Sequence, residues 1–197
     1  KIMKFDTKVL HAAIKPEPLT GSILPPLHQT ATYVLEEVGK DKGFDYTRSA
    51  NPTRQMMEEH LAKLDSGKYG IAFSSGMSAV DSCLKLLKSG DHIICSDDVY
   101  GGVSRLFNQV LVNYKLEFTY VDTSFPERIE EAIQPNTKMI WAETPTNPLL
   151  KVSDLNELNK IAKKHNLLFG IDTTFSTPAF LRPLEFGADL VMHSTTK

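Results

Sequence analysis

The chain has 197 residues, 22 basic against 24 acidic, for a net charge of −2, and that length supports one sizeable domain with a buried core. Without a Lys/Arg-rich run, neither nucleic acid nor an anionic membrane is the expected partner. Apolar runs such as residues 167–171 are far too short to span a bilayer.

Residues 1–5 open on charge and do not read as a secretory signal. The sequence begins at Lys1 without Met, so a few residues are expected to precede it. Residues 1–45 then read as an extended arm, broken by Pro16, Pro18, Pro25 and Pro26 and lacking a sustained period. A flexible linker is one reading of such a stretch. Ile23, Leu24, Leu27 and Tyr33, however, are apolar enough to favour burial against another surface.

From Tyr46 onward, helices and strands alternate, which makes 46–197 the expected main domain. Asn51 as N-cap and Pro52 at the first position start a helix over 52–64, with Met57, Leu61 and Leu64 on one face. A short strand is expected at 70–73, followed by a turn at Ser74-Ser75-Gly76 and a helix carrying Val80, Leu84 and Leu87 to Gly90. Next come a strand at 92–96, a turn at Gly101-Gly102, and a helix with Leu106, Val110 and Val112. Strands at 116–121 and 139–143 flank a helix near 126–133. Ser153 is expected to cap a helix bearing Leu155, Leu158, Ile161 and Ala162, ahead of strands at 167–171 and 190–193. Continuous apolar strands between amphipathic helices imply an α/β fold, a mainly parallel sheet covered on both faces.

The two cysteines, Cys83 and Cys95, form no CxxC and read as buried reduced thiols, as expected of a cytoplasmic protein. His11, His28, His60, His92, His165 and His193 show no metal-ligand spacing.

In an open parallel sheet, ligands bind beyond the carboxyl ends of the strands. Ser75-Gly76-Met77 opens a helix there, and free N–H groups beside a glycine suit a phosphate, although a capped turn with no ligand explains the same residues. Asp172 closes one strand and either faces the ligand or caps a turn. Lys197, after Ser194 and Thr196, offers an amine able to form an imine with an aldehyde, although most lysines simply lie on the surface. Neither GxxxxGK nor GxGxxG occurs, which disfavours a nucleotide-binding protein.

Six segments occur in an order that is informative. They are Tyr46 to Arg54, Ser75 to Ala79, Tyr100-Gly101-Gly102, Glu143-Thr144-Pro145-Thr146-Asn147-Pro148, Asp172-Thr173-Thr174-Phe175 and His193-Ser194-Thr195-Thr196-Lys197. Together they resemble the cystathionine γ-lyase, cystathionine γ-synthase and methionine γ-lyase group of fold-type I pyridoxal-phosphate enzymes, over nearly the whole chain. The resemblance implies pyridoxal 5'-phosphate as cofactor, with Lys197 holding it as a Schiff base and carrying protons between substrate carbons. It further implies that Asp172 pairs with the pyridine nitrogen and that Tyr100 stacks on the ring as a candidate acid or base. Gly76 and Met77, with Ser194 and Thr196, would hold the phosphate, and Thr174 would also contact the cofactor. Asn147 would lie near the cofactor's hydroxyl and the substrate carboxylate. Tyr46 and Arg48 would reach the phosphate of a neighbouring subunit, in a homo-oligomer built as a dimer of dimers.

Thr173 stands where the family usually has Asn, and Ala50 where Gly is common. Family members continue well past the lysine, so this sequence is expected to be the N-terminal part of a longer chain. A small sulfur amino acid is the expected substrate, cleaved at its γ or β carbon. A cystathionine γ-lyase reaction is favoured, with γ-replacement on an O-acylated homoserine close behind; residues 100–105 suit either and lack the cysteine associated with methionine γ-lyases. A non-catalytic cofactor-binding fragment is the alternative if the chain ends at Lys197.

Overall fold

The computed structural model describes residues 3–197. They form two compact units, the first ending at Ala72 and the second Phe73–Lys197.

In the first unit, the stretch expected to be wholly extended contains a helix, α1 (Phe5–His11). It buries none of its own side chains and is held by α2 (Pro52–Leu64). His60 Nε2 meets the Val9 carbonyl at 2.9 Å, and Lys63 Nζ donates to the Ala12 carbonyl at 2.8 Å. Such tertiary anchoring leaves no mark on local periodicity. Asn51 caps α2 as expected, accepting from the Thr53 N–H at 2.9 Å. Its amide also donates to the His28 carbonyl at 3.1 Å, so the arm is tied to the helix start. Residues 46–51 are bound the same way, since the Arg54 guanidinium donates to the Thr47 and Ser49 carbonyls at 3.0 Å each.

Residues 70–73 do not form the expected strand. No described strand pairs with them, and Ile71 is largely exposed. Their shape is set instead by contact with α2: a Cβ on Gly70 would lie 2.2 Å from the Glu58 carbonyl oxygen.

The second unit carries a five-stranded, all-parallel sheet in the order β2-β1-β3-β4-β5. The strands are β1 (His92–Ser96), β2 (Glu117–Val121), β3 (Thr137–Glu143), β4 (Leu168–Asp172) and β5 (Leu190–Met192). Side chains alternate across the sheet. Ile93, Cys95, Met139 and Trp141 join the core on one face, with α3 (Gly76–Leu84) and the helical run that starts at α4 (Gly101–Arg105). Ile94, Ile140, Ala142, Phe169 and Ile171 join the core on the other, with α5 (Pro126–Glu131) and α6 (Leu155–Lys164). Trp141, Phe107, Phe169 and Leu158 are all fully buried, each side chain contributing about 1.5–3 kcal/mol of transfer energy.

Local chemistry departs from the sequence expectation at two further places. Gly101 and Gly102 are the first residues of α4, not a free turn, and the helix continues through a π turn at Leu106–Val110 and a 3₁₀ turn at Leu111–Tyr114. Asp154, not Ser153, caps α6, accepting from the Asn156 and Glu157 N–H groups. Ser153 is buried, where its N–H donates to Thr144 Oγ1 and its hydroxyl meets Thr123 Oγ1. A short helix α7 (Thr177–Phe180) and a 3₁₀ turn at Pro183–Phe186 complete the unit.

Candidate active site

The parallel registers bring the strand ends level. Glu143 closes β3 opposite Asp172, which closes β4 opposite Met192, which closes β5. By alternation with Trp141 and Gly170, both acids project toward the face covered by α3 and α4. Trp141 and Met192 lie in that face's core.

Asp172 is only 5% exposed. Oδ1 accepts the Thr174 N–H at 2.9 Å, and the Thr174 hydroxyl in turn accepts the Ser194 N–H at 2.9 Å. Burial pushes the Asp172 carboxyl above the usual carboxylate range, although the Thr174 bonds and the His193 charge pull it down. Such a carboxylate is suited to a partner that brings a proton or a positive charge.

Ser194 lies against the start of α3. A Cβ on Gly76 would meet Ser194 Cβ at 3.2 Å, a tight contact, and Met192 Cε at 3.6 Å, so glycine lets the start of α3 lie close against these side chains. Ser75 caps α3 by accepting the Ser78 N–H at 3.1 Å, and the first intrahelical bond runs from the Ala79 N–H to the Ser75 carbonyl. The Gly76 and Met77 N–H groups therefore point out of the helix beside the Ser194 hydroxyl. Thr196 and Lys197 follow in a turn closed by the Lys197 N–H to the Ser194 carbonyl at 3.2 Å, and both side chains are exposed.

Tyr100 precedes α4, and its N–H donates to Glu143 Oε2 at 2.8 Å. A Cβ on Gly102 would lie 2.5 Å from Tyr100 Cε1 and 2.9 Å from Met77 Sδ, so the ring rests on this glycine beside Met77. Glu143 also accepts the Asn147 N–H. Burial first, then the charges of Asp172 and Asp98, push the Glu143 carboxyl up to about 7 against these bonds. Asp98 in turn accepts from the Thr146 hydroxyl and from the Leu149 N–H, fixing the loop that carries Asn147.

The second unit thus gathers Gly76, Met77, Tyr100, Asn147, Asp172, Thr174, Ser194, Thr196 and Lys197 in one connected set. Tyr46 and Arg48 lie in the first unit. There the Arg48 guanidinium sits 5.1 Å from the Tyr46 ring centre, and both residues are exposed. Sequence reading assigned no role to Glu143 or Asp98. The signal available for each was the one used for Asp172, a carboxylate at or just past the carboxyl end of an apolar strand. Thr173 is fully buried; its N–H donates to the Met192 carbonyl at 3.2 Å, and its hydroxyl meets no partner. Among the described residues no cluster of His, Cys, Asp or Glu could hold a metal ion, and no helix is long and apolar enough to cross a membrane.

Comparison with known proteins agrees with this geometry. Cystathionine gamma-lyase of Bacillus subtilis is 48% identical over 195 residues, 99% of this chain and 52% of the relative. The probable cystathionine gamma-synthase of Herpetosiphon aurantiacus is 44% identical over 193 residues, 98% of this chain and 60% of the relative. The crystal structure of cystathionine gamma-lyase from Lactobacillus plantarum, complexed with L-serine, superimposes with a TM-score of 0.94 at 41% identity, over 97% of this chain and 50% of that one. The chain therefore spans about half the length of the relatives it matches. The model of the Cys/Met metabolism PLP-dependent enzyme family matches residues 6–197, and the chain belongs to that family.

Proposed function

We propose that this chain is the cofactor-binding part of a pyridoxal-phosphate-dependent lyase that cleaves cystathionine, or a related sulfur amino acid, at its γ or β carbon. The observation that carries the reading is the Asp172 carboxylate, almost fully buried, with one oxygen committed to Thr174. A protonated pyridine nitrogen is the kind of partner that such a carboxylate calls for.

The other residues fit the same group. The Gly76 and Met77 N–H groups and the hydroxyls of Ser194 and Thr196 would bind its phosphate, at a helix start with no Cβ in the way. Thr174 braces Asp172 and the Ser194 backbone together. Tyr100 would cover one face of the ring, and Asn147, held through Glu143 and the Asp98 loop, would orient the substrate carboxylate. When bound, pyridoxal 5'-phosphate supplies the sink for the electron pair left on the substrate α carbon. Asp172 keeps the ring nitrogen's proton in place while that pair is held. The Lys197 amine is the attachment point and then the base that lifts protons from substrate carbons and returns them. The Tyr100 hydroxyl would serve the leaving group.

A γ-replacement on an O-acylated homoserine is the second reading, favoured by the gamma-synthase named among the relatives. The large exposed apolar side chains of the arm, with Ile23 72%, Leu24 67% and Leu27 73% exposed, support a homo-oligomer whose arm is covered by another copy. In that assembly, a dimer of dimers, Tyr46 and Arg48 would complete a neighbour's site. The unpaired Cys83 and Cys95 suit a cytoplasmic setting. The test is to supply the full-length protein with cystathionine alone, and then with an O-acylhomoserine and cysteine. Release of a 2-oxo acid from cystathionine supports the lyase, and cystathionine formation in the second mixture supports the synthase. Absence of both, with cofactor bound, overturns the proposal.

A further inference from the structure

We propose that Glu143 is a positioning residue for Tyr100: its buried carboxylate grips the Tyr100 N–H and thereby holds the tyrosine ring in place over the cofactor site. The inference rests on the reading of Tyr100 as the residue that covers the cofactor ring.

Two constraints meet on Tyr100. The ring has a floor, because Gly102 leaves room for it beside Met77 Sδ. Its backbone has an anchor, the 2.8 Å bond from the Tyr100 N–H to Glu143 Oε2. The ring is 48% exposed, so packing alone leaves it room to swing. The backbone bond narrows that freedom by fixing the peptide from which the side chain departs, so that only rotation about the side-chain bonds is left.

The anchor is itself rigid. The Glu143 N–H donates to Ser96 Oγ at 3.1 Å, and Ser96 meets Thr123 Oγ1 at 2.8 Å, which meets Ser153 Oγ at 2.8 Å, all of them buried. The same carboxylate accepts the Asn147 N–H, so the loops after β1 and β3 share one acceptor. Stability does not account for an acid at this position. Burial and two neighbouring carboxylates, Asp98 and Asp172, all oppose its charge. What it provides is placement of the two flanking loops.

The experiment measures pyridoxal 5'-phosphate affinity of the full-length protein, stripped of cofactor, by absorbance titration. The variants are Glu143→Ala, Glu143→Asp and Glu143→Gln, each made with and without Tyr100→Ala. Removing the acceptor with Ala should weaken binding about tenfold, the loss of one hydrogen bond to a charged group. Asp retracts the carboxylate by one methylene, retains the charge and should lose affinity likewise, so it serves if the Ala variant does not fold. Gln still accepts and should stay within about twofold. In the Tyr100→Ala background, the Ala and Asp variants should lose clearly less, because the ring on which Glu143 acts is gone and only its hold on the Asn147 loop is left to remove. Equal losses with and without the ring overturn the inference, as does a Gln variant as weak as Ala. Failure of the unaltered protein to bind the cofactor would instead overturn the functional reading beneath it.

Discussion

Replacing Glu143 by Gln should make the protein more stable at alkaline pH and leave it little changed in acid. The unfolded carboxyl titrates near 4.5, whereas in the fold burial and the Asp172 and Asp98 charges raise it to about 7. The group is therefore protonated in both states below pH 4.5, and its ionisation then costs nothing. Between 4.5 and 7 the native state holds a proton that the unfolded chain releases, so stability falls as pH rises. Above 7 the penalty is complete, and the difference between the two values corresponds to about 3 kcal/mol. The residue is 5% exposed, so solvent screens little of this. Glutamine has the same shape, still accepts the Tyr100 N–H and carries no charge. Urea unfolding of both proteins at a series of pH values should give curves that coincide near pH 4 and diverge through pH 5–7. By pH 8 the Gln variant should lead by about 3 kcal/mol. Parallel curves over that range would refute the buried, uncompensated charge.

Three other outcomes are expected. Asp172→Asn should lower kcat at least about a hundredfold, since an amide cannot hold the ring nitrogen's proton, while thermal stability at neutral pH changes by less than about 1 kcal/mol. A variant with unchanged kcat would make Asp172 a turn cap. Gly102→Ala should displace the Tyr100 ring, not unfold α4, because the new Cβ meets side-chain atoms of Tyr100 and Met77; a stability loss of about 1–3 kcal/mol with weakened cofactor binding is expected, and native affinity would show that the ring is not where the structure puts it. Mixing inactive Arg48→Ala and Lys197→Ala proteins under subunit exchange should restore activity, because some mixed dimers then hold one complete site. Demonstrated exchange without recovery would mean that Arg48 serves its own chain.

The sheet was readable in the sequence because most of its strands are apolar on both faces, and all five begin and end within two residues of their expected bounds. Of the candidate site, the residues legible in the sequence are those where reactive side chains and strand ends coincide, at Asp172 and in the 193–197 turn. What escaped detection depends on contacts distant in sequence. The helix α1 exists through bonds that α2 makes to Val9 and Ala12. Residues 70–73 look like a strand, yet pairing is what makes a strand and no described neighbour supplies it. Glu143 stood inside a recognised motif, but its reach to Tyr100, 43 residues away in the chain, appears only in three dimensions. The misplaced α6 cap has the same kind of cause: Ser153 and Asp154 are both good cap residues, and the buried Thr123, distant in sequence, claims the serine.

The level strand ends also determine where the chain can change length. Extra residues in the loops entering the strands, such as those around Asn136 or Gly187, leave every acid at its present height and facing its present way. One residue inserted within β4 turns Asp172 over, to the side where Phe169 and Ile171 pack against α6. Deleting one from β3 does the same to Glu143, and the chain could fold while presenting apolar side chains to the cofactor. Insertions among natural or engineered variants should therefore gather at the entering edge of the sheet, with the exit edge and the strand interiors keeping their lengths.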